Sequence, residues 1–181
     1  MATLGQREWA QIHGSGDLIF LTVGTQVPFN RLVRAFDEWC DRTGYTDVFG
    51  QIAIMGDDDY RPRHFRWERF VSPRTYREMV SASDVIVAHA GMGSIITAMM
   101  HSKPILLMPR LAALNEQRND HQLATVRHMQ NRPGVNVAMD EGALGSQLDL
   151  MIDEIGEDGD GLISPYAEAE LTDGLRRLIL S

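Results

Sequence analysis

Strand signals alternate with helix signals through short connections, which predicts an α/β domain: a parallel sheet of about six strands with helices on both faces. Two observations carry this. Apolar, β-branched runs of four to eight residues recur and end at glycine, histidine or proline, as buried parallel strands do. Between them lie stretches with apolar residues three and four apart. The length of 181 residues, 44% apolar and 23% charged, suits one such domain with a sizeable core.

Residues 1–16 show no apolar period, and Gly14-Ser15-Gly16 precedes the first strand, so they read as an extension before a domain over 17–181. Leu18 to Val23 is the first strand, ending at Gly24. Pro28 suits a first helical turn. Phe29, Leu32, Val33, Phe36 and Cys40 then line one helix face, closed at Gly44. The pattern repeats with strands at Asp47–Ile54 and Phe65–Val71, separated by a polar loop. Ser72-Pro73 caps a helix to Ala82. Asp84–His89 is the fourth strand, and Gly91-Met92-Gly93-Ser94 opens a helix whose buried side is predicted to be Ile95, Ile96, Met99 and Met100. Pro104–Met108 is the fifth strand, Asn119–Met129 a helix, Val135–Ala138 the sixth strand, and Asp140 caps a helix to Ile155. An acidic loop follows at 157–161, then a last helix at Tyr166–Leu180.

Composition excludes several classes. No apolar run reaches the roughly 18 residues of a membrane span, and Met1–Asp17 is too polar for a signal peptide. The reading is an intracellular protein, soluble or peripherally bound. Cys40 is the single cysteine, so no internal disulfide and no cysteine-built metal site is expected. Its place on the apolar stripe makes it a buried structural thiol. No metal and no cofactor is expected; the run Asp57-Asp58-Asp59 reads as a solvated loop. The net charge of −8 argues against nucleic acid. It divides unevenly: residues 1–139 carry 15 basic and 14 acidic side chains, residues 140–181 carry 2 and 11. Six arginines cluster between Arg61 and Arg77, either a solvated face or a contact for an anionic ligand or lipid headgroups.

In such a sheet the ligand site lies beyond the carboxyl ends of the strands, at the switch in strand order. The loops to search follow Val23, His89 and Met108. His89-Ala90-Gly91-Met92-Gly93-Ser94 combines glycines with a helix start, where free N–H groups and the helix dipole favour an anion; a phosphate or diphosphate is the natural occupant. Ser94, Thr97 and His101 share another side of that helix; His101, two turns from its start, reads as a surface histidine. Gly24-Thr25-Gln26 permits close approach. Glu116-Gln117-Arg118-Asn119-Asp120-His121-Gln122 is a dense polar run suited to a hydroxyl-rich ligand. A P-loop is absent, and the dinucleotide glycine pattern fails after Gly24.

Taken in order, Val23-Gly24-Thr25, Asp84 to Ser94, Lys103 to Pro109 and Asn119-Asp120-His121-Gln122 resemble the C-terminal, nucleotide-sugar-binding half of GT-B glycosyltransferases of the family 28 type. The likeness covers Leu18 to Leu180 and is nearest to small stand-alone catalytic subunits of two-subunit transferases. It implies a single Rossmann-like domain, one half of a GT-B fold. It implies that His89, Gly91, Gly93 and Ser94 sit at the donor diphosphate and that Gly24 and Thr25 approach the same phosphates or the sugar. Phe70 and Val71 fall at the base-binding segment and Thr97 at the ribose. Glu116 and Asn119, from the polar run, join His121 and Gln122 as candidate sugar ligands. Thr97 stands where many relatives have glutamate, and His121 where some have aspartate. The implied activity is inverting, metal-independent transfer from a UDP-sugar to a polyprenyl-diphosphate-linked acceptor in bacterial polysaccharide synthesis. His89 would help to stabilise the leaving diphosphate. The general base is unassigned, and a membrane-anchored partner would supply the acceptor site and hold the chain at the inner face of the cytoplasmic membrane. The alternatives are a non-catalytic donor-binding or regulatory subunit and, more remotely, a nucleotide-sugar epimerase of the same architecture.

Overall fold

The computed structural model describes residues 17–157. The expected extension over 1–16 and helix at Tyr166–Leu180 lie outside the described residues, as does most of the acidic loop. Within them, six strands form one parallel sheet: β1 (Ile19–Thr22), β2 (Val48–Gln51), β3 (Arg66–Glu68), β4 (Val85–His89), β5 (Ile105–Met108) and β6 (Val135–Val137). Their order is β3-β2-β1-β4-β5-β6. Five α-helices connect or follow them: α1 (Asn30–Thr43), α2 (Pro73–Ala82), α3 (Met92–Met100), α4 (His121–Met129) and α5 (Glu141–Glu157).

Alternation along the buried strands divides the core in two. Ile19, Leu21, Val85, Val87, Leu106 and Met108 face α1 and α5, where Phe36, Trp39 and Leu148 meet them. Phe20, Ile86, Ala88, Ile105 and Leu107 face α2, α3 and α4, where Met79, Ile95 and Val126 pack. Apolar side chains on both faces of every central strand exclude a solvated face, so helices must cover both.

The caps follow the sequence. Gly44 ends α1 in the left-handed region (φ 70°), returning its N–H to the Cys40 carbonyl. Ser72 Oγ accepts the Thr75 N–H at 3.0 Å, with Pro73 at the first helical position. Asp140 Oδ1 accepts the Ala143 N–H at 2.9 Å. Cys40 is buried, and burial, then the Asp37 charge, push its thiol up to about 12, so it is inert.

Three expectations need correction. β2 and β3 are shorter than read: Ala53 turns to φ 47°, ending regular pairing, and β3 is an edge strand of three largely exposed residues. α4 starts at His121, because Asn119 and Asp120 are engaged in turn hydrogen bonds. On α3, Ser94, Ile95 and Ala98 are the buried residues, whereas Ile96 and Met100 are 49% and 78% exposed. The small residues Ser94 and Ala98 let this helix approach the sheet, and Ile96 and Met100 turn outward.

The β2–β3 connection carries no helix. It lies as a strap along α1, held by a buried carboxylate: Asp37 accepts from Tyr60 Oη (2.7 Å) and from the N–H groups of Arg63 (3.0 Å) and His64 (2.9 Å). Asp59 accepts the Met55 and Gly56 N–H groups, so the acidic run braces a loop. The arginine cluster does not act as one face. Arg61 binds loop carbonyls, Arg69 lies over the Phe70 ring, Arg74 pairs with Glu78, and Arg77 turns towards the cleft described next.

Candidate functional site

After β1 the chain crosses to α1 on one face of the sheet; after β4 it crosses to α3 on the other. The two loops part at the carboxyl ends of these adjacent strands and open a crevice. A cleft of about 720 Å³ occupies it, within the usual size of a small-molecule site. Gly24, Thr25, Val71, His89, Gly91, Gly93, Ser94, Thr97, His121 and Gln122 all line it. Phe70, Glu116 and Asn119 do not.

His89 is the pivot of the crevice. A Cβ on Gly24 would lie 3.0 Å from its Cε1, and one on Gly91 would lie 2.3 Å from its Nε2. Gly24 also adopts φ 79°, which other residues rarely take. The ring therefore touches both loop backbones, and each contact requires glycine. Burial, then the Arg110 guanidinium, push His89 down to about 4, against the opposing pull of the Thr22 carbonyl. The ring is neutral at pH 7. Its Nδ1 is buried and without a partner among the described residues. The N-terminus of α3, with Gly91 as its cap and no side chain closing its first N–H groups, adds positive potential to that of Arg77 and Arg110, which also line the cleft. Among the described residues, no aspartate or glutamate lines the cleft.

A second framework fixes the loops. Arg110 is 3% exposed. It donates to the carbonyls of Pro28 (2.6 Å), Val27 (2.7 Å) and Val23 (3.1 Å), and its guanidinium lies 4.4 Å from the Phe29 ring centre. Burial lowers it to about 10, with Glu116 acting oppositely, so it stays charged. It ties the β1–α1 loop to the segment after β5. Gln51 does the same elsewhere: its Nε2 donates to Gly24 O (3.3 Å) and its Oε1 accepts the Val71 N–H (3.2 Å).

These frameworks explain where the remaining candidate residues fall. Glu116 accepts from Arg31 through both oxygens (2.7 and 2.9 Å) and from the Leu111 N–H. Gln122 is buried, and its Oε1 accepts the Arg110 N–H at 3.0 Å. Asn119 Oδ1 meets His121 Nδ1; with the proton on that nitrogen, Nε2 of His121 is left as an acceptor beside the cleft. Thr97 Oγ1 donates to the Gly93 carbonyl at 2.7 Å. Phe70 is half-exposed under Arg69. His101, read as a surface histidine, lines the cleft at the far end of α3. Arg77, from the arginine cluster, and Gln117, from the polar run, also line it, as do Gln51, Tyr76 and Arg110, which the sequence reading did not single out. The sequence signal for Arg110 and Gln51 is a polar residue at the carboxyl end of a buried strand.

The crevice lies at the switch in strand order, beside a glycine-lined helix start. The profile of the glycosyltransferase family 28 C-terminal domain matches residues 18–155, and the chain belongs to this family. No curated protein matches. Solved structures share the fold at low identity. A glycotransferase of kitacinnamycin is 19% identical with a TM-score of 0.58, covering 90% of this chain and 39% of its own. MurG of Acinetobacter baumannii is 14% identical (TM-score 0.57; 80% and 45%). ALG13, solved by NMR, is 17% identical (TM-score 0.54; 77% and 87%). The chain thus spans less than half of the first two and most of the third. No helix among the described residues is long and apolar enough to cross a membrane.

Proposed function

We propose that this chain binds a UDP-sugar and, with a membrane-anchored acceptor-binding subunit, transfers the sugar to a polyprenyl-diphosphate-linked acceptor in bacterial polysaccharide synthesis. The observation that carries the donor reading is the cleft, in which glycine-lined loops and the α3 N-terminus converge and no carboxylate among the described residues intrudes. Transfer is inverting and independent of a metal ion. The leaving diphosphate gains its stabilisation from N–H groups already aimed at it, which need no reorganisation during the reaction. His89 supports this as a neutral ring holding the loops, with hydrogen bonding rather than charge to offer.

The partner reading rests on the rim. The first residues after each strand include one exposed large apolar side chain: Val27, Met55, Phe70, Met92, Leu114 and Met139, in strand order. Six such side chains after the carboxyl ends of the strands of one sheet suit a surface that another protein covers. Peripheral attachment to the inner face of the membrane follows from that partner.

Calorimetric titration with UDP and then with UDP-sugars tests the donor reading. Selective binding supports it; no binding by either the chain or its assembled pair overturns it. The carboxylate-free lining also favours a second reading, in which the chain binds donor without turning it over. Transfer by the pair that is lost with Ser94→Ala while complex formation persists excludes that reading.

A further inference from the structure

The two helix layers carry opposite charge. α1 and α5 cover one face of the sheet and hold three basic and eight acidic side chains between them; α5 alone has five acids and no base. α2, α3 and α4 cover the other face. Apart from two histidines, they hold three basic side chains, Arg74, Arg77 and Arg127, and one acid, Glu78. All three arginines are exposed. Glu78 is already paired with Arg74 at 2.8 Å.

α3 is the middle helix of this basic layer. The crossovers β3–β4, β4–β5 and β5–β6 step the same way across the sheet, and α3 makes the second of them. It has no charged residue. Met92, Ile96 and Met100, four apart, form one stripe along it and are 49%, 49% and 78% exposed. Met92 is also one of the six side chains that follow the strands, and Met100 borders the cleft. Ile96 belongs to neither, so neither a donor nor a cover over the strand ends accounts for it.

An apolar stripe flanked by cations, with its one carboxylate neutralised, has the chemistry of a surface that lies on anionic lipid. Protein interfaces instead centre on exposed Trp, Tyr and Arg, and the one aromatic residue of these three helices, Tyr76, packs against Phe20. We infer that this face docks directly on an anionic lipid bilayer, with Ile96 and Met100 entering the headgroup boundary and Arg74, Arg77 and Arg127 meeting lipid phosphates. The same lipid repels the acidic α5 layer, which orients the sheet with α3 towards the membrane. The contact belongs to this chain alone and requires neither the donor nor the acceptor-binding subunit.

Flotation tests this with the full chain and vesicles of phosphatidylcholine, with and without phosphatidylglycerol. The chain alone is expected to float with the phosphatidylglycerol vesicles, less so at high salt, and not with phosphatidylcholine alone. Ile96→Ser and Ile96→Asp are expected to lower vesicle affinity about tenfold or more, the scale of one buried isoleucine. Arg127→Gln is expected to lower it about fivefold. Leu150, 57% exposed on the acidic α5, is the control; Leu150→Ser is expected to change affinity less than about twofold. These three positions lie outside the cleft lining. Circular dichroism checks the fold of each variant, and a separate UDP titration tests the donor reading, so either reading can fail without the other. No flotation of wild type overturns the inference. So does equal binding to uncharged vesicles, or a loss with Leu150→Ser as large as with Ile96→Ser. A dimer that Ile96→Asp dissociates, seen by light scattering without flotation, makes the face a contact between copies and also overturns it.

Discussion

The loop after β4 and the segment after β5 border the same cleft, and they are built in opposite ways. The first, His89 to Ser94, presents backbone: two glycines, a helix start and a neutral ring packed between Gly91 and Gly24 of the β1 loop. The second, Arg110 to Gln122, presents a row of polar side chains, and most are already engaged by the protein. Glu116 holds Arg31 and Leu111, Asp120 holds Ala112, Asn119 meets His121, and Gln122 holds Arg110. Long irregular segments leave backbone N–H groups without partners, and nearby side chains satisfy them first. A dense polar run is therefore weaker evidence for a ligand than a short glycine loop.

The sharpest break of this contrast is Gly91→Ala. The new methyl would sit 2.3 Å from His89 Nε2, so ring or loop must move. A shift of about 1 Å in such a site costs on the order of 100-fold, here read as UDP affinity by calorimetry. The stability loss expected from overpacking is about 1–3 kcal/mol. Adding His89→Ala should recover part of both losses, because the clash disappears. An unchanged affinity in Gly91→Ala would remove the β4 loop from the donor site.

His89 gives the contrast a pH signature. Its value falls from 6.5 unfolded to about 4 folded. The stability it contributes is complete above pH 6.5 and is lost as pH falls towards 4, because the unfolded chain binds the proton first. The loss across that window is roughly 3 kcal/mol. Denaturant titrations of wild type and His89→Gln should converge as pH drops from 7 to 4. A constant gap would mean that the ring is charged or solvated in the folded protein.

Much of the fold was legible because its signals are redundant. Strands buried on both sides read as unbroken apolar runs, and Gly44, Ser72-Pro73 and Asp140 mark helix ends by local chemistry. The glycine loops that border the cleft were legible for the same reason, since a Cβ has no room at Gly91. Burial on α3 was misread because Ile96 and Met100 are apolar yet face solvent, while the small residues Ser94 and Ala98 face the sheet. Gln51 and Arg110 escaped notice because their role is to join loops distant in sequence, such as Val23 and Arg110. Pairings of that kind have no local pattern.

Glu116 tests the other half of the contrast. Its carboxylate and the Arg31 guanidinium are 13% and 10% exposed. Glu116→Gln takes the nearer of two carboxylates from that largely buried arginine, leaving Glu141 at 3.3 Å, at a cost of about 2 kcal/mol in denaturant stability. UDP-sugar affinity should change less than about threefold, since the residue lies outside the cleft lining. The reverse result, stability kept and affinity lost, would return Glu116 to the sugar subsite that the sequence suggested.

Thr97 carries the smallest expected effect and the finest distinction. It lines the cleft, as the β4 side of the comparison requires, yet its hydroxyl donates to Gly93, as on the β5 side. A threonine bonded back to its own helix is structurally dispensable, so Thr97→Val should alter stability by no more than about 0.5 kcal/mol. With the proton directed at Gly93, Oγ1 can still accept a hydrogen bond from a ribose hydroxyl. Comparing UDP with 2′-deoxy-UDP in both proteins separates the two cases. An effect below about threefold, the same for both ligands, places Thr97 with the self-bonded side chains. A tenfold loss for UDP that vanishes for the deoxy ligand makes it a ribose contact, and the division between backbone-built and side-chain-built walls then fails at this position.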